Sequence, residues 1–489
     1  MREVVISGLG LVSPHGDDLG PAFDAMLQGR SAIALWGREG LPPAAVASVA
    51  FSPERWFTKL QLVGVDRVSQ MAVAAAELAR TDARWPEGLA PERIGVYIGS
   101  GMGGATALED GYEASRAGRR VSPLTVVATM TNAPAAHIAI RAGAQGPVYT
   151  YSVACASSAV AIAEAAKAIA AGEIDIAIAG GAEALLVPGV VRAWQALQTL
   201  ATPDPTDPSQ SCRPFDVNRS GFALGEGAAM LVLESREHAM ARQAPVRVRF
   251  AGSGVSCDAQ HMTKPNAPGQ VRALRNMLRA SGLTPRDIGY CNAHGTATRV
   301  GDGVECEALR SVWGDDIDGL RVSSTKSMHG HLLGAAGALE AVVTVLALQQ
   351  RQAPPTPSCH NPDPACNVPL IRETAASLPT LKAAISNSFA FGGTNVVLAF
   401  ARNDWSPANY FAFSVVSAGR KRTSTRWPTR RAVSSSCSRH STTRASAIWS
   451  LPAVSGVRGG PNTSPTFSTR APCTTPSSAT ETTSARMPA

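Results

Sequence analysis

The sequence lacks a regular cysteine framework: its nine cysteines are scattered through 489 residues, which excludes a disulfide scaffold and points to a reducing compartment. No leader is expected either, because Met1-Arg2-Glu3-Val4-Val5-Ile6 reads as a strand with neither the apolar stretch nor the cleavage site of a signal peptide. No uncharged apolar run reads as long enough to span a bilayer, so a cytoplasmic protein without membrane insertion is expected. Gly8-Leu9-Gly10-Leu11-Val12-Ser13 starts like a dinucleotide fingerprint but lacks the third glycine, and no clean acidic partner follows; a tight turn after the first strand is expected instead. Cys359-His360 with Cys366 lacks a second paired cluster at zinc spacing, and its proline-rich surroundings read as an irregular loop, so no metal is expected. From Asp404 onward there are eleven Lys or Arg and two acids, a balance of +9, so the total of +8 leaves the first 403 residues at −1. A near-neutral body excludes a whole-domain argument for nucleic-acid binding, though not a local basic patch.

What is present is a sharp junction at Cys155. Pro147-Val148-Tyr149-Thr150-Tyr151-Ser152-Val153-Ala154 is rich in strand formers, and Ala156 to Ala171 is a run of strong helix formers that Gly172 stops. A thiol at the first turn of a helix faces unpaired N–H groups and the positive end of the macrodipole, so its pKa is expected to fall and its nucleophilicity to rise. The competing account is a small buried core cysteine.

Two histidine motifs lie further along. Asn292-Ala293-His294-Gly295-Thr296-Ala297-Thr298 follows an apparent strand, and Lys326-Ser327-Met328-His329-Gly330-His331 leads into Leu332-Leu333-Gly334-Ala335-Ala336-Gly337. With Cys155 in Ala-Cys-Ala-Ser and the later Asn387-Ser388-Phe389-Ala390-Phe391-Gly392-Gly393-Thr394-Asn395, these four separated motifs resemble, in the same order, the elongating β-ketoacyl-acyl carrier protein synthases. The likeness is closest to the type II branch and covers roughly residues 1 to 402.

The resemblance implies a decarboxylative Claisen condensation in fatty-acid chain elongation, with a ketosynthase of a specialised polyketide or aryl polyene pathway as the alternative. Cys155 would carry the acyl group as a thioester. Neutral His294 and His331 would donate to the malonyl thioester oxygen as it becomes enolate-like, and backbone N–H groups of Cys155 and Phe391 would form a second oxyanion hole. Lys326 would orient the histidines, with Glu305 or Glu340 as partners. Thr296 and Thr298 would hydrogen-bond the phosphopantetheine arm; the alternative, less favoured, is local turn bonding beside Gly295. Met102, in Gly99-Ser100-Gly101-Met102-Gly103-Gly104, matches a position that lines the acyl pocket; core packing is an equally good account. Phe391 would gate the acyl tunnel. No free cofactor is implied, since the phosphopantetheine arrives on the acyl carrier protein, and a homodimer is expected. His329 has no part in the family pattern. A degradative thiolase would need a second cysteine where Phe389-Ala390-Phe391 stands, and a non-catalytic chain-length subunit would lack Cys155. Ser220 departs from the family, which often has an acid there, and this puts the loop around Arg219 in question.

The implied fold is α/β and thiolase-like: two similar halves in an α-β-α-β-α stack, over 1–245 with the cysteine and over 246–403 with the two histidines. A faint echo between Ile6-Ser7-Gly8-Leu9-Gly10 and Phe250-Ala251-Gly252-Ser253-Gly254 agrees with a duplication. Residues 404–489 are rich in Ser, Thr, Arg and Pro without periodicity, and are expected to be a disordered tail that offers too little apolar surface to offset chain entropy.

Overall fold

A computed structural model describes residues 1–405. The chain divides into a compact unit, Met1–Lys421, and a second, Arg422–Ala489, which lies outside the described residues, as does nearly all of the expected tail.

Ten strands form the main sheet. They are β1 (Val4–Val12), β2 (Ile94–Gly99), β3 (Val148–Tyr151), β4 (Ile176–Glu183), β5 (Gly227–Ser235), β6 (Val248–Cys257), β7 (Ile288–Asn292), β8 (Arg321–Ser323), β9 (Ala383–Phe389) and β10 (Thr394–Ala401). Their spatial order is β8-β7-β9-β10-β6-β1-β5-β4-β2-β3. Read outward from the centre, the first half runs β1-β5-β4-β2-β3 and the second β6-β10-β9-β7-β8, the same path taken twice. The pairings repeat too: β1 with β5, and β6 with β10, are antiparallel, while β2 lies parallel to β3 and β4, as β7 does to β8 and β9. Within the sheet the two halves pair at Val5 opposite Arg249 and Ile6 opposite Val248.

Helices α1 (Arg67–Asp82), α2 (Ala105–Arg116), α3 (Ala133–Ala142), α4 (Ser157–Ala171), α5 (Ala267–Ser281), α6 (Gly301–Trp313) and α7 (Ala336–Gln350) fill the layers. α4 and α7 pack on each other and against strands of both halves. α1 and α3 cover the outer face of the first half, and α5 and α6 that of the second. This is the expected five-layer stack, with apolar faces buried on both sides of each sheet. The central position of α4 and α7 also accounts for the two longest apolar runs, each of which is interrupted by charge at Glu164 and Lys167 or at Glu340. Ala154–Ala171 and Leu333–Gln350 are each apolar enough over 18 residues to span a bilayer, but 67% and 89% of those windows are buried inside the fold.

The first glycine motif is likewise not a turn. Gly8 and Gly10 lie inside β1, where a Cβ on Gly10 would sit 2.2 Å from the Ala75 carbonyl oxygen of α1. Gly254 in β6 stands in the same relation to α5, with a Cβ 2.0 Å from the Ala273 oxygen. The echo between the two segments therefore marks a strand that touches helix backbone in each half, which only glycine permits. At the far end the packed chain runs past Asn403, since Trp405 packs on the outer core of the second half with Lys382 over its ring.

Candidate active site

Cys155 lies at an elbow, not in the first turn of α4. The helix starts at Ser157, Ala156 caps it without a side-chain bond, and Ala154 before the cysteine has φ +46, a conformation that costs a non-glycine residue strain. Ser157 stabilises the bend, its Oγ accepting from the Val153 N–H at 2.8 Å and donating to the Ala154 carbonyl at 2.7 Å. The end of β2 presses on the same corner, where a Cβ on Gly99 would lie 2.2 Å from the Ser158 nitrogen. Gly172, left-handed at φ 83, ends the helix as expected.

The second half brings two imidazoles to this thiol. His331 Nε2 lies 3.0 Å from Cys155 Sγ, and the rings of His294 and His331 meet edge to face at 5.5 Å. Ligand atoms of the three residues fall within 4.8 Å of one another, the one such cluster among the described residues. His294 follows β7 on a loop whose shape Glu305 of α6 imposes: its carboxylate accepts from the N–H of His294 at 2.9 Å and of Gly295 at 2.8 Å, and from Asn387 Nδ2 at 2.9 Å. Lys326, fully buried, donates to the His294 carbonyl at 2.7 Å and forms an ion pair with Glu340. Of the two carboxylates expected beside this lysine, Glu340 is thus its partner, whereas Glu305 holds the backbone of the loop. His329 differs from the other two histidines. It donates Nδ1–H to Gly330 and accepts at Nε2 from Thr325, so its tautomer is fixed, while Nδ1 of His294 and of His331 finds no partner among the described residues.

These groups open on a cavity of about 700 Å³. Thr296 and Thr298 line it, their hydroxyls 3.2 Å apart, and so does Phe391, whose ring stacks on Trp194 at 6.3 Å. The backbone N–H groups of Phe391 and Cys155 both act on the sulfur and favour its anion. Met102 is not among the residues that line this cavity: it is 49% exposed, with its N–H turned to Glu183, so it does not pack in the core of this chain. The loop with Ser220 holds together without an acid there. Arg219 donates to the carbonyls of Thr298 and Arg299 at 3.0 and 2.7 Å and pairs with Asp363, and the Ser220 hydroxyl accepts from the Thr202 N–H.

Sequence reasoning passed over several neighbours. Phe222, from a loop, sets its ring 5.1 Å from His331, and Trp194, from the helix Pro188–Ala196, packs behind it at 5.5 Å. Asp302 stands one helical turn before Glu305, a spacing that puts both on one face of α6, and accepts from the Phe215 N–H at 2.8 Å.

Electrostatics correct one expectation and support another. Burial pushes the Cys155 thiol up to about 11, outweighing the pull of Lys326 and the two backbone N–H groups, so the elbow does not yield a resting thiolate by helix-end effects. Burial holds His294 and His331 well below the usual imidazole value, and Lys326 adds to this, so both are neutral. A neutral imidazole 3.0 Å from a thiol can take its proton, and two neutral imidazoles can donate to an oxygen that gains charge between them.

Comparison with known proteins gives the same picture. The family description "Beta-ketoacyl synthase, N-terminal domain" matches residues 1–239, and its C-terminal domain matches residues 248–360. The chain is 41% identical over 415 residues to nodulation protein E of Rhizobium meliloti, across 82% of this chain and 99% of that protein. It is 38% identical to 3-oxoacyl-(acyl-carrier-protein) synthase 2 of Coxiella burnetii, with the same coverage of 82% and 99%. A solved β-ketoacyl synthase from Burkholderia phymatum superposes with a TM-score of 0.76 at 34% identity, over 82% of this chain and 100% of that one. A type II polyketide ketosynthase in complex with its acyl-carrier protein does so with a TM-score of 0.76 at 28% identity, over 82% and 99%.

Proposed function

The chain belongs to the β-ketoacyl synthase family, whose members are acyltransferases that use no free cofactor, and from that membership we propose how its residues share the condensation. Cys155 attacks the carbonyl of an acyl thioester. Its proton passes to His331 Nε2, 3.0 Å away, and on to the departing pantetheine thiolate, so the acyl group becomes a thioester of Cys155 and the imidazole is neutral again. A malonyl thioester then enters; its bond to the carboxylate breaks, carbon dioxide leaves, and the electron pair becomes an enolate whose oxygen accepts from His294 and His331. The enolate carbon attacks the acyl carbonyl, the tetrahedral oxygen accepts from the N–H groups of Cys155 and Phe391, and the C–S bond breaks to free the β-ketoacyl product and a thiolate that takes a proton from water. Lys326 and Glu305 act on the His294 loop without touching substrate. The single observation that carries this reading is a buried thiol and two neutral imidazoles meeting at one cavity.

An acyl carrier protein is the proposed donor of both thioesters, a pairing supported by the carrier-bound ketosynthase among the structural relatives. A second copy of the chain is the proposed partner of the outer edge of the first half. There β3 ends the sheet with Tyr149 55% exposed, and Val126 and Ile140 are 71% and 79% exposed. Incubation with malonyl and acyl groups on a panel of carrier proteins, read by product mass, tests the function and reports chain length. Carbon dioxide release without an extended product on any carrier would refute elongation. Light scattering reads the mass of the assembly.

A further inference from the structure

One buried acid near the site has no role in the steps above. Glu183 ends β4 and is fully buried. Its Oε2 accepts from the Gly101 N–H at 2.7 Å and the Gly334 N–H at 2.9 Å, and its Oε1 accepts from the Met102 N–H at 3.2 Å. Gly101 and Met102 belong to the loop that follows β2. Gly334 belongs to the segment just after His331, in which Leu333 lines the cavity and holds a left-handed φ of +45. Both glycines are shaped to this carboxylate: a Cβ on Gly101 would lie 2.8 Å from Oε2, and one on Gly334 2.5 Å from it. Among the described residues no charged side chain bonds Glu183. A buried carboxyl without a counter-charge is costly, and its retention between two loops calls for more than packing. Glu305 is built in the same manner in the other half, where it grips the two consecutive N–H groups of His294 and Gly295.

We propose that Glu183 is a positioning residue for decarboxylation: by tying Gly334 to the loop after β2 it fixes the strained Leu333–Gly334 segment and thereby the imidazole of His331. This rests on the reading that His331 donates to the malonyl oxygen. His331 serves both half-reactions, as acceptor of the Cys155 proton and as donor to the malonyl oxygen, so the loss of Glu183 should lower both, and only where His331 is present.

The test compares Glu183→Gln, in which an amide NH₂ must face N–H donors, with Gly334→Ala, which attacks the clamp from the other side. Both are measured per molecule able to acylate Cys155, counted by mass of the acyl-enzyme. Misplacing a reacting group by about 1 Å costs on the order of 100-fold, so malonyl decarboxylation and acyl transfer, which both use His331, should each fall about 10- to 100-fold with an unchanged KM. The double variant should be no worse than the poorer single, because both break one clamp. A further loss when Glu183→Gln is added to His331→Ala, additive effects in the double variant with Gly334→Ala, or no acylatable molecules from either variant would overturn the proposal and leave Glu183 a folding residue. His331→Ala is the control. If it suppresses decarboxylation and Glu183→Gln does not, the positioning role alone falls; if it leaves decarboxylation intact, the assignment of His331 fails and takes this inference with it.

Discussion

The two halves of this molecule follow one path and end in different chemistry. In each, a glycine-bearing first strand lies against the backbone of an outer helix, and a central helix begins just beyond a short parallel edge strand. The elbow before α4 carries Cys155, and the turn before α7 carries His331. The loop after β7 carries His294; its counterpart after β2 carries Met102 and no titrating group. A buried carboxylate grips two successive N–H groups of each loop, Glu305 in one half and Glu183 in the other. Duplication thus supplied two equivalent corners that face each other, and specialisation placed the nucleophile on one and the oxyanion donors on the other. Active sites built where crossover loops converge have this property: the scaffold positions the corner, and the residue there sets the chemistry.

The most severe way to break the division is to remove the nucleophile. Cys155→Ala should lower elongation by at least about 10⁴-fold, as loss of a covalent nucleophile does elsewhere, while malonyl decarboxylation persists, because its donors lie on the other half. Product mass and carbon dioxide release read the two separately. Elongation at the parental rate would mean that Cys155 is not the nucleophile.

The next test acts on the second half alone. Removing an oxyanion donor costs roughly 10²- to 10³-fold, which is the expected loss of decarboxylation in His294→Ala and in His331→Ala. Asn can donate from a similar place, so His294→Asn and His331→Asn should retain clearly more activity than the alanine variants. Equal and complete inactivity of Asn and Ala would move the mechanism to proton transfer by the imidazole. His331 also serves the thiol, so its Asn variant should recover decarboxylation better than acyl transfer.

How far the sequence disclosed this site depends on what each property requires. Cys155, His294, His331 and Lys326 were legible because each sits in a contiguous motif, and the α4 boundaries because Ala-rich composition and Gly172 act locally. The thiol pKa was misjudged because a helix end is a local feature whereas burial is a tertiary one, and burial dominates here. The motif of Met102 likewise fixes the loop, not the side of the loop on which the side chain emerges. Glu183 and Phe222 approach the site from distant segments and left no spacing to read. Gly8 and Gly10 resembled a turn because the close approach of α1, which requires them, is invisible until the helix is docked.

A smaller effect addresses the resting state of the cysteine. A thiol raised to about 11 is protonated at neutral pH, and its thiolate fraction grows tenfold per unit below that value. Alkylation of Cys155 by iodoacetamide should therefore rise about 100-fold between about pH 7 and about pH 9. A rate independent of pH over that range would show that the proton already rests on His331 in the free enzyme, and that the two halves share it before substrate arrives.

The least drastic test leaves the chemistry alone and asks whether the halves are equivalent as structures. Gly10→Ala places a methyl group 2.2 Å from the Ala75 oxygen, and Gly254→Ala places one 2.0 Å from the Ala273 oxygen. Neither helix can yield without moving its own backbone, since the obstacle in each case is a carbonyl of the helix ladder. Overpacking of this kind costs about 1 to 3 kcal/mol, occasionally more, and the two variants should lower the urea midpoint by similar amounts. Gly37→Ala and Gly319→Ala, with open space around each position and no positive φ, serve as controls in the two halves and should leave the midpoint almost unchanged. A large loss for Gly10→Ala beside a negligible one for Gly254→Ala would mean that the second half tolerates a displaced α5. The repeated strand order would then be a likeness of path without a likeness of packing, and the glycine echo would lose its meaning as a trace of duplication.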